Sequence, residues 1–178
     1  MVEVEDLRYP IGPWTYPQTT STPEQRRSWI NAVASTPAAL RAAVAGLTDA
    51  QLDTPYRPGG WTVRQVIHHL PDSHMNGYVR FKLALTEDTP TIKPYDEASW
   101  ALLTDVATTP PETSLALLQS LHDRWVRLLE SMTEAEWMRR LHHPEVGTLR
   151  LEQYLAGYAW HGKHHVAHIT SLRQRSGW

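Results

Sequence analysis

Residues 151–172 read LEQYLAGYAWHGKHHVAHITSL and predict an amphipathic helix that extends to about residue 175. One stripe of this helix collects apolar residues together with two histidines, namely Leu151, Tyr154, Leu155, Tyr158, His161, His165, Ile169 and Leu172. His161 and His165 therefore project toward the protein interior, one helical turn apart. Because residues four apart are neighbours on a helix, their two imidazole rings can reach one metal ion.

Two capping boxes predict helices earlier in the chain. The stretch Thr22-Pro-Glu-Gln25 begins a helix that is expected to run to about residue 46, and Thr62-Val-Arg-Gln65 begins one that is expected to run to about residue 85. Pro37 lacks the amide that an interior turn needs, so we expect it to kink or divide the first helix. Prolines within the first twenty residues predict an extended segment across the domain surface.

The second half of the chain supplies the fourth long helix and the longest connection. From Glu112, apolar residues recur at spacings of three and four, which predicts an amphipathic helix of about 20 residues. Residues 86–111 hold four prolines and are expected to form an irregular crossover with one short helix near Glu97–Leu103. A helical turn around Glu134–Met138 and a hairpin with its turn at Pro144–Gly147 are expected before the last helix.

These elements indicate an all-α fold. Four substantial helices without sustained strand periodicity predict an antiparallel-type four-helix bundle, with a long crossover connection and a small hairpin. A length of 178 residues suits one domain over residues 1–178. With 41% hydrophobic and 20% charged residues the composition is globular, so every segment is expected to pack around one core.

Charge and composition narrow the classes of function. The 17 basic residues are interspersed with 19 acidic ones, which argues against a nucleic-acid partner and favours a small-molecule substrate. The absence of cysteine leaves histidines and carboxylates as the strong metal ligands, and any thiol chemistry must use a thiol of the substrate. The acidic N-terminus and the lack of an apolar run of bilayer length predict a cytoplasmic protein with no membrane partner.

The helix that begins near Thr62 offers a third metal ligand. A polar row lies at helical spacing along the edge of its apolar arc, namely His69, Ser73, Asn76 and Arg80. Polar groups directed into a bundle are costly unless they are satisfied, so the row predicts a lined cavity. We predict that His69, His161 and His165 hold one divalent metal ion. Three neutral imidazoles leave a coordination position open, which is typical of catalytic sites.

The histidine spacing alone leaves alternatives open, because a single HxxxH motif also fits core or surface histidines with ordinary partners. His168 is the strongest competitor, since it follows His165 by three residues on nearly the same face. His68 and His164 should point about 100° away from the chosen ligands, toward the surface or behind a ligand. The remaining histidines are interpreted as structural or solvent-exposed, namely His74, His122, His142 and His143.

Two other kinds of metal site do not fit the sequence. A zincin needs Glu directly after the first histidine of HxxxH, but Gly162 follows His161. Carboxylate-bridged di-iron bundles need Glu-x-x-His motifs, and no Glu of this chain has His three residues later. We therefore set both classes aside.

Two stretches resemble the DinB superfamily and specifically its YfiT-like branch: GWTVRQVIHHLPDSHMN at residues 60–76 and YAWHGKHHVAHI at residues 158–169. Shorter similar segments at residues 8–12, 52–57, 80–87 and 94–97 extend the resemblance over essentially the whole chain. The resemblance implies a four-helix bundle, often a homodimer, with zinc or nickel held by three histidines. It also implies a metal-dependent hydrolase or a bacillithiol S-transferase.

The resemblance supports the same ligands. The family's single histidine precedes a leucine and corresponds to His69, and the family's HxxxH pair corresponds to His161 and His165. Pro71 stands where the resemblance leads us to expect a helix-favouring residue. It has no amide hydrogen to donate to the Ile67 carbonyl, within a turn of His69.

The expected mechanism uses the metal as a Lewis acid that lowers the pKa of a bound thiol or water. A low-molecular-weight thiol as the nucleophile would give S-transfer to an electrophile, and water would give hydrolysis. Asn76 and Arg80 are candidates to orient an anionic group of the substrate. Asp72, three residues after His69, is a candidate to orient that ligand, although helix capping or solvation is its more common use. The rival hypothesis is a non-catalytic bundle that binds metal or a small ligand.

Overall fold

Four long helices carry the structure, which is a computed structural model that describes residues 6–178. The elements are, in chain order, α1 (Pro23–Val44), α2 (Asp49–Leu52), α3 (Val63–Thr86), α4 (Glu97–Trp100), α5 (Thr104–Thr108), α6 (Pro111–Ser131), α7 (Glu134–Trp137), β1 (Arg140–His143), β2 (Gly147–Arg150) and α8 (Leu151–Ser176). The predicted all-α bundle and its hairpin are confirmed. The acidic stretch at residues 1–5, on which the expected localisation partly rests, lies outside the described residues.

Capping boxes begin α1 and α3, as the sequence predicts. The Thr22 side chain accepts a hydrogen bond from the Gln25 amide, and the Gln25 side chain accepts one from the Thr22 amide. Thr62 and Gln65 repeat the arrangement at the start of α3. Each pair satisfies two amides that a helix start otherwise leaves unbonded.

Two prolines lie inside long helices without ending them. The sequence predicts that Pro37 kinks or divides the first helix; division is wrong, because α1 runs unbroken past this residue. Pro37 has no amide to offer the Val33 carbonyl, but Nδ1 of His122 lies 2.7 Å from that oxygen and replaces the missing donor. α3 likewise continues through the buried Pro71, so His69 stays on regular helix.

The long helices form two parallel pairs. α1 and α8 run in the same direction, since Arg26 lies beside Glu152 near their starts and Arg173 donates to the Ala43 carbonyl near their ends. α3 and α6 are also parallel, because contacts advance together along both chains, from His68 with Ser114 to His74 with His122.

The two pairs run antiparallel to each other. Arg80 near the end of α3 donates to Tyr154 near the start of α8, and Arg41 near the end of α1 pairs with Glu112 at the start of α6. The antiparallel-type bundle expected from the sequence is therefore present only between pairs. The crossover of residues 87–110 returns the chain to the end of the bundle where α3 began, which makes α3 and α6 parallel.

A layer of histidines separates two apolar clusters along the bundle. One cluster is built around Phe81 and Trp125, and the other is built around Leu40, Ile67 and Leu118. Histidines of three helices lie between them, namely His69, His74, His122, His161 and His165. Buried polar groups need hydrogen-bond partners or a bound ion, so this layer is the candidate functional site.

The hairpin fastens the crossover beside this layer. In the ladder of β1 and β2, Leu141 pairs with Leu149, and both side chains are buried. The His142 amide donates to the Pro90 carbonyl, and the Ile92 amide donates to the His142 carbonyl. These bonds hold residues 90–97 across the end of α3. Within residues 6–178, none of the helices has the length and apolarity needed to cross a bilayer.

Candidate metal centre

The structure brings the three predicted ligands together. Nε2 of His161 lies 3.2 Å from Nε2 of His69 and 3.2 Å from Nε2 of His165. Antiparallel packing of α3 on α8 places His69 opposite the i, i+4 pair, and one nitrogen from each of the three rings lies within 4.8 Å of the others. Two nitrogens bound about 2.0–2.1 Å from a tetrahedral zinc ion lie about 3.3 Å apart, so the three residues fit a single ion.

Burial keeps these imidazoles neutral. It lowers the pKa of His69 to about 4. It lowers the pKa values of His161 and His165 well below the usual range, and repulsion from neighbouring imidazoles adds to the effect. A neutral imidazole has one nitrogen lone pair, which is the form that binds a metal ion. At neutral pH, protons therefore compete little with a metal for these nitrogens.

Aromatic packing covers one side of the centre. The Trp61 ring lies 4.6 Å from the His69 ring and stacks on the His165 ring at 6.2 Å, both measured between centroids. Contact with this indole limits the rotation of both imidazole rings.

A cavity opens on the other side of the centre. His69 and His161 line its inner end. Aromatic side chains form most of the wall, namely Trp14, Tyr16, Tyr95, Tyr154, Tyr158 and Trp160. Polar groups also line it, namely Ser73, Arg80, Glu97 and His143. An aromatic cavity with a few polar groups beside a metal centre is the usual form of a small-molecule site.

The two residues proposed to orient a substrate lie in different places. Arg80 lines the cavity, is buried, and donates to the Tyr154 hydroxyl at 3.0 Å and the Lys93 carbonyl at 2.6 Å. Asn76 lies outside the cavity lining, and its side-chain amide donates to the Asp72 carbonyl one turn earlier on α3. Only Arg80 therefore has the position for contact with a substrate.

Asp72 is half-buried on α3 rather than freely solvated. Burial, with a smaller contribution from repulsion by Asp105, raises the pKa of its carboxyl to about 6. Asp105 lies on α5, which packs against α3. The residue therefore faces the crossover, which the sequence did not indicate.

His168 does not join the cluster of ligand nitrogens. Its Nε2 lies 3.1 Å from the Arg8 carbonyl, and its ring stacks on Tyr56 with 3.9 Å between centroids. His164 stacks on Trp160, and Nδ1 of His68 lies 2.7 Å from the Ser114 hydroxyl. Both are buried, so of the two positions expected for them, at the surface or behind a ligand, the surface position is excluded.

His74 and His122 are the functional candidates that sequence reasoning missed. The sequence predicts a structural or solvent-exposed position for both. Both are fully buried, and they connect to the predicted ligand His161 through ring nitrogens. His122 gave a usable signal, because it occupies the apolar stripe of α6 between Leu118 and Trp125. A histidine in such a stripe needs a buried partner.

Comparisons of the sequence with known proteins agree on one family. The model of the DinB superfamily matches residues 32–169. "Putative metal-dependent hydrolase YfiT" of Bacillus subtilis (strain 168) is 53% identical over 174 residues, which cover 97% of each chain. A protein of Bacillus mycoides (strain KBAB4) with the same description is 54% identical over 175 residues, covering 98% of this chain and 100% of that one.

Solved structures agree with the fold. The structure of YfiT from Bacillus subtilis, described as "a probable metal-dependent hydrolase with an unusual four-helix bundle topology", has a TM-score of 0.93 at 53% identity and covers 97% of this chain and 98% of its own. A second four-helix bundle protein has a TM-score of 0.56 at 20% identity, covering 79% of this chain and 94% of its own, and shows likeness of fold alone.

Proposed function

The chain belongs to the DinB superfamily, and we propose that it is a metal-dependent hydrolase whose divalent ion is held by His69, His161 and His165. The observation that carries the proposal is the convergence of three neutral imidazole nitrogens at the inner end of an aromatic cavity. Three nitrogen ligands without a carboxylate suit zinc or nickel, and they leave a coordination position for a substrate or solvent.

The chain's own residues bind and orient the substrate. When bound, a divalent ion supplies Lewis acidity and lowers the pKa of a nucleophile beside it. Arg80 offers a buried positive charge in the cavity wall, braced by the Tyr154 hydroxyl and the Lys93 carbonyl. A charge held in a low-dielectric wall favours a substrate with a carboxylate or a strongly polarised carbonyl.

The aromatic wall sets the shape of the substrate. Trp14 and Tyr16 from the N-terminal segment line the cavity together with Tyr95 of the crossover, so apolar or planar groups are favoured there. We therefore infer a small substrate with an apolar body and one anionic or carbonyl end. Trp61 packs against the His69 ring.

A finer version of the proposal replaces water by a low-molecular-weight thiol such as bacillithiol. It is supported by the resemblance of residues 60–76 and 158–169 to a branch that includes bacillithiol S-transferases. Since the chain has no cysteine, the thiol must come from the substrate. The thiol sulfur would then bond to the carbon of an electrophile that occupies the aromatic part of the cavity, with loss of the thiol proton and of the leaving group of that electrophile, such as a halide.

The test compares both reactions on the same metal-loaded protein. Zinc-loaded and nickel-loaded samples are assayed with a panel of carboxylate-bearing esters and amides, and separately with bacillithiol and a halobimane. Hydrolysis that is lost in H161A supports the hydrolase, and thiol conjugation that is lost in H161A supports the transferase. H142A is the matched control, because His142 lies on the hairpin outside the cavity lining. Full metal content with no rate above background in either assay would favour the non-catalytic binding bundle.

A further inference from the structure

One interior carbonyl of α1 is available for a bond outside its own helix. In a regular helix the Val33 carbonyl would accept from the amide four residues later, but that residue is Pro37. Nδ1 of His122 lies 2.7 Å from this oxygen. A carbonyl can only accept a hydrogen bond, so Nδ1 of His122 must carry the proton. The proline thus determines which nitrogen of a buried histidine is protonated.

The same reasoning assigns the next ring. The His122 and His74 rings are both buried, and their nitrogens lie beside a carbonyl and other imidazoles rather than a carboxylate, so each ring is neutral and has one N–H. With Nδ1 of His122 protonated, its Nε2 can only accept. Nδ1 of His74 lies 2.9 Å from that atom and must be the donor. Nε2 of His74 then carries a lone pair and can only accept a hydrogen bond.

The sequence of bonds ends at a metal ligand. Nδ1 of His161 lies 3.1 Å from Nε2 of His74 and has to donate to it. Nε2 of His161 is left as a lone pair, directed at Nε2 of His69 and Nε2 of His165. Only one set of tautomers satisfies all three hydrogen bonds, and it places the lone pair where a metal ion would bind.

We propose that His74 and His122, anchored on the Val33 carbonyl that Pro37 leaves free, form a positioning relay that fixes the tautomer and orientation of His161. This inference rests on the proposed metal centre. Histidine ligands usually donate their second ring N–H to a carboxylate, a carbonyl or water, which holds the ring and fixes its tautomer. Here the carbonyl acts through two further imidazoles and joins α1, α6, α3 and α8 in one line of hydrogen bonds.

The surroundings of the relay favour this role over simple core packing. His74 and His122 are 0% and 1% exposed, so solvent is not a competing partner. The edge of the Trp125 ring system packs against both rings, and Tyr158 packs against His74. In such an environment an unsatisfied ring nitrogen is costly, so reversal of the whole line of tautomers is disfavoured.

The direct test is the tautomeric state of the metal-free protein. Long-range proton–nitrogen NMR of histidine-labelled protein at neutral pH distinguishes a protonated Nδ1 from a protonated Nε2 in each ring. We expect protonated Nδ1 in His122, His74 and His161. Protonated Nε2 in His74 or His161 would overturn the relay. This readout needs neither metal nor substrate, so wild-type protein that binds no metal would refute the metal centre and leave the relay to be decided by NMR.

The second test separates positioning from packing. H122F keeps a buried ring but removes both hydrogen bonds, and it is expected to give mixed tautomers at His161 and to weaken zinc binding by about 10–100-fold. H122Q retains a donor and an acceptor and is expected to recover part of the affinity. H68F is the matched control, since His68 is a buried histidine of α3 bonded to Ser114 outside the relay. Folded H122F with wild-type zinc affinity and an unchanged His161 tautomer would overturn the proposal. If H122F does not fold, the tautomers in the wild-type NMR spectrum still test it.

Discussion

Thr36 on α1 and Gly162 on α8 meet so closely that a Cβ on Gly162 would lie 2.5 Å from the Thr36 hydroxyl oxygen. The Thr36 hydroxyl in turn donates to the Ala32 carbonyl at 2.8 Å. Gly162 directly follows the ligand His161, so this contact sets how closely α8 approaches α1 beside the metal centre. A larger residue must separate the helices or displace the threonine.

We predict that G162A destabilises the protein by about 1–3 kcal/mol, because the added methyl group overpacks the contact between α1 and α8. Urea unfolding followed by circular dichroism measures the change. G157A on the same helix is the control, since its Cβ would lie 3.3 Å from the Tyr16 ring, a milder overlap that a shift of a few tenths of an ångström in the N-terminal segment relieves. It should stay near wild-type stability because alanine favours a helix. Equal stability of G162A and wild type would show that the helices have room to move.

Glu152 anchors the start of α8 to the N-terminal segment and α1. It is 1% exposed, accepts hydrogen bonds from the Ser21 hydroxyl and from Nε of Arg150 at 2.7 Å, and lies 3.6 Å from the Arg26 guanidinium. Its removal leaves the Ser21 hydroxyl and the Arg150 guanidinium without their buried acceptor, while Arg26 keeps its ion pair with Glu134, so we predict that E152A costs about 1–3 kcal/mol of stability.

The control for E152A is E112A, which breaks the exposed pair between Arg41 and Glu112. Solvent screens such a pair, so its loss should leave the urea midpoint unchanged. If E152A and E112A behave alike, Glu152 does not hold the start of α8.

The buried histidines predict a loss of stability in mild acid. The pKa of His69 and the pKa of His122 are lowered by burial to about 4, whereas unfolded histidine titrates near 6.5. Between these values the unfolded chain binds protons that the folded chain does not, so stability falls as the pH falls. Each such histidine costs on the order of 1–2 kcal/mol at about pH 5.

One carboxyl acts in the opposite direction. Burial raises the pKa of Asp72 to about 6, so the folded state binds its proton more readily and gains stability as the pH falls. Histidines with lowered pKa values outnumber it. Urea unfolding of metal-free protein at about pH 7.5 and about pH 5 should therefore show a net loss, and H122F should show a smaller one. Equal stability at the two pH values would show that these histidines are not held neutral in the folded state.

Local rules predict much of the fold and part of the site. Capping boxes and apolar periodicity give the long helices and the inward direction of His161 and His165, because both depend on neighbouring residues alone. The length of the crossover predicts that it can join parallel neighbours. Its path is fixed by hydrogen bonds of Pro90 and Ile92 with His142, which lies far away in sequence, so no local pattern shows that α3 and α6 are the parallel pair.

The rest of the candidate site depends on contacts between residues that are distant in sequence. Periodicity gives the helix face of His122 but not that a carbonyl freed by Pro37 on another helix would meet it. The same limit explains Trp14 and Tyr16, which lie in a segment without regular structure and yet line the cavity. Asn76 shares its helical row with Arg80 but lies outside the cavity lining, and its side-chain amide bonds the Asp72 carbonyl of its own helix.

The central claim is one metal ion held by three histidines, and the metal content of protein purified without a His tag tests it most directly. Inductively coupled plasma mass spectrometry is expected to find close to one zinc or nickel ion per wild-type chain. The variants H69A, H161A and H165A should each lose the ion, while H142A retains it. A folded H161A with the full metal content of the wild type would contradict the ligand set.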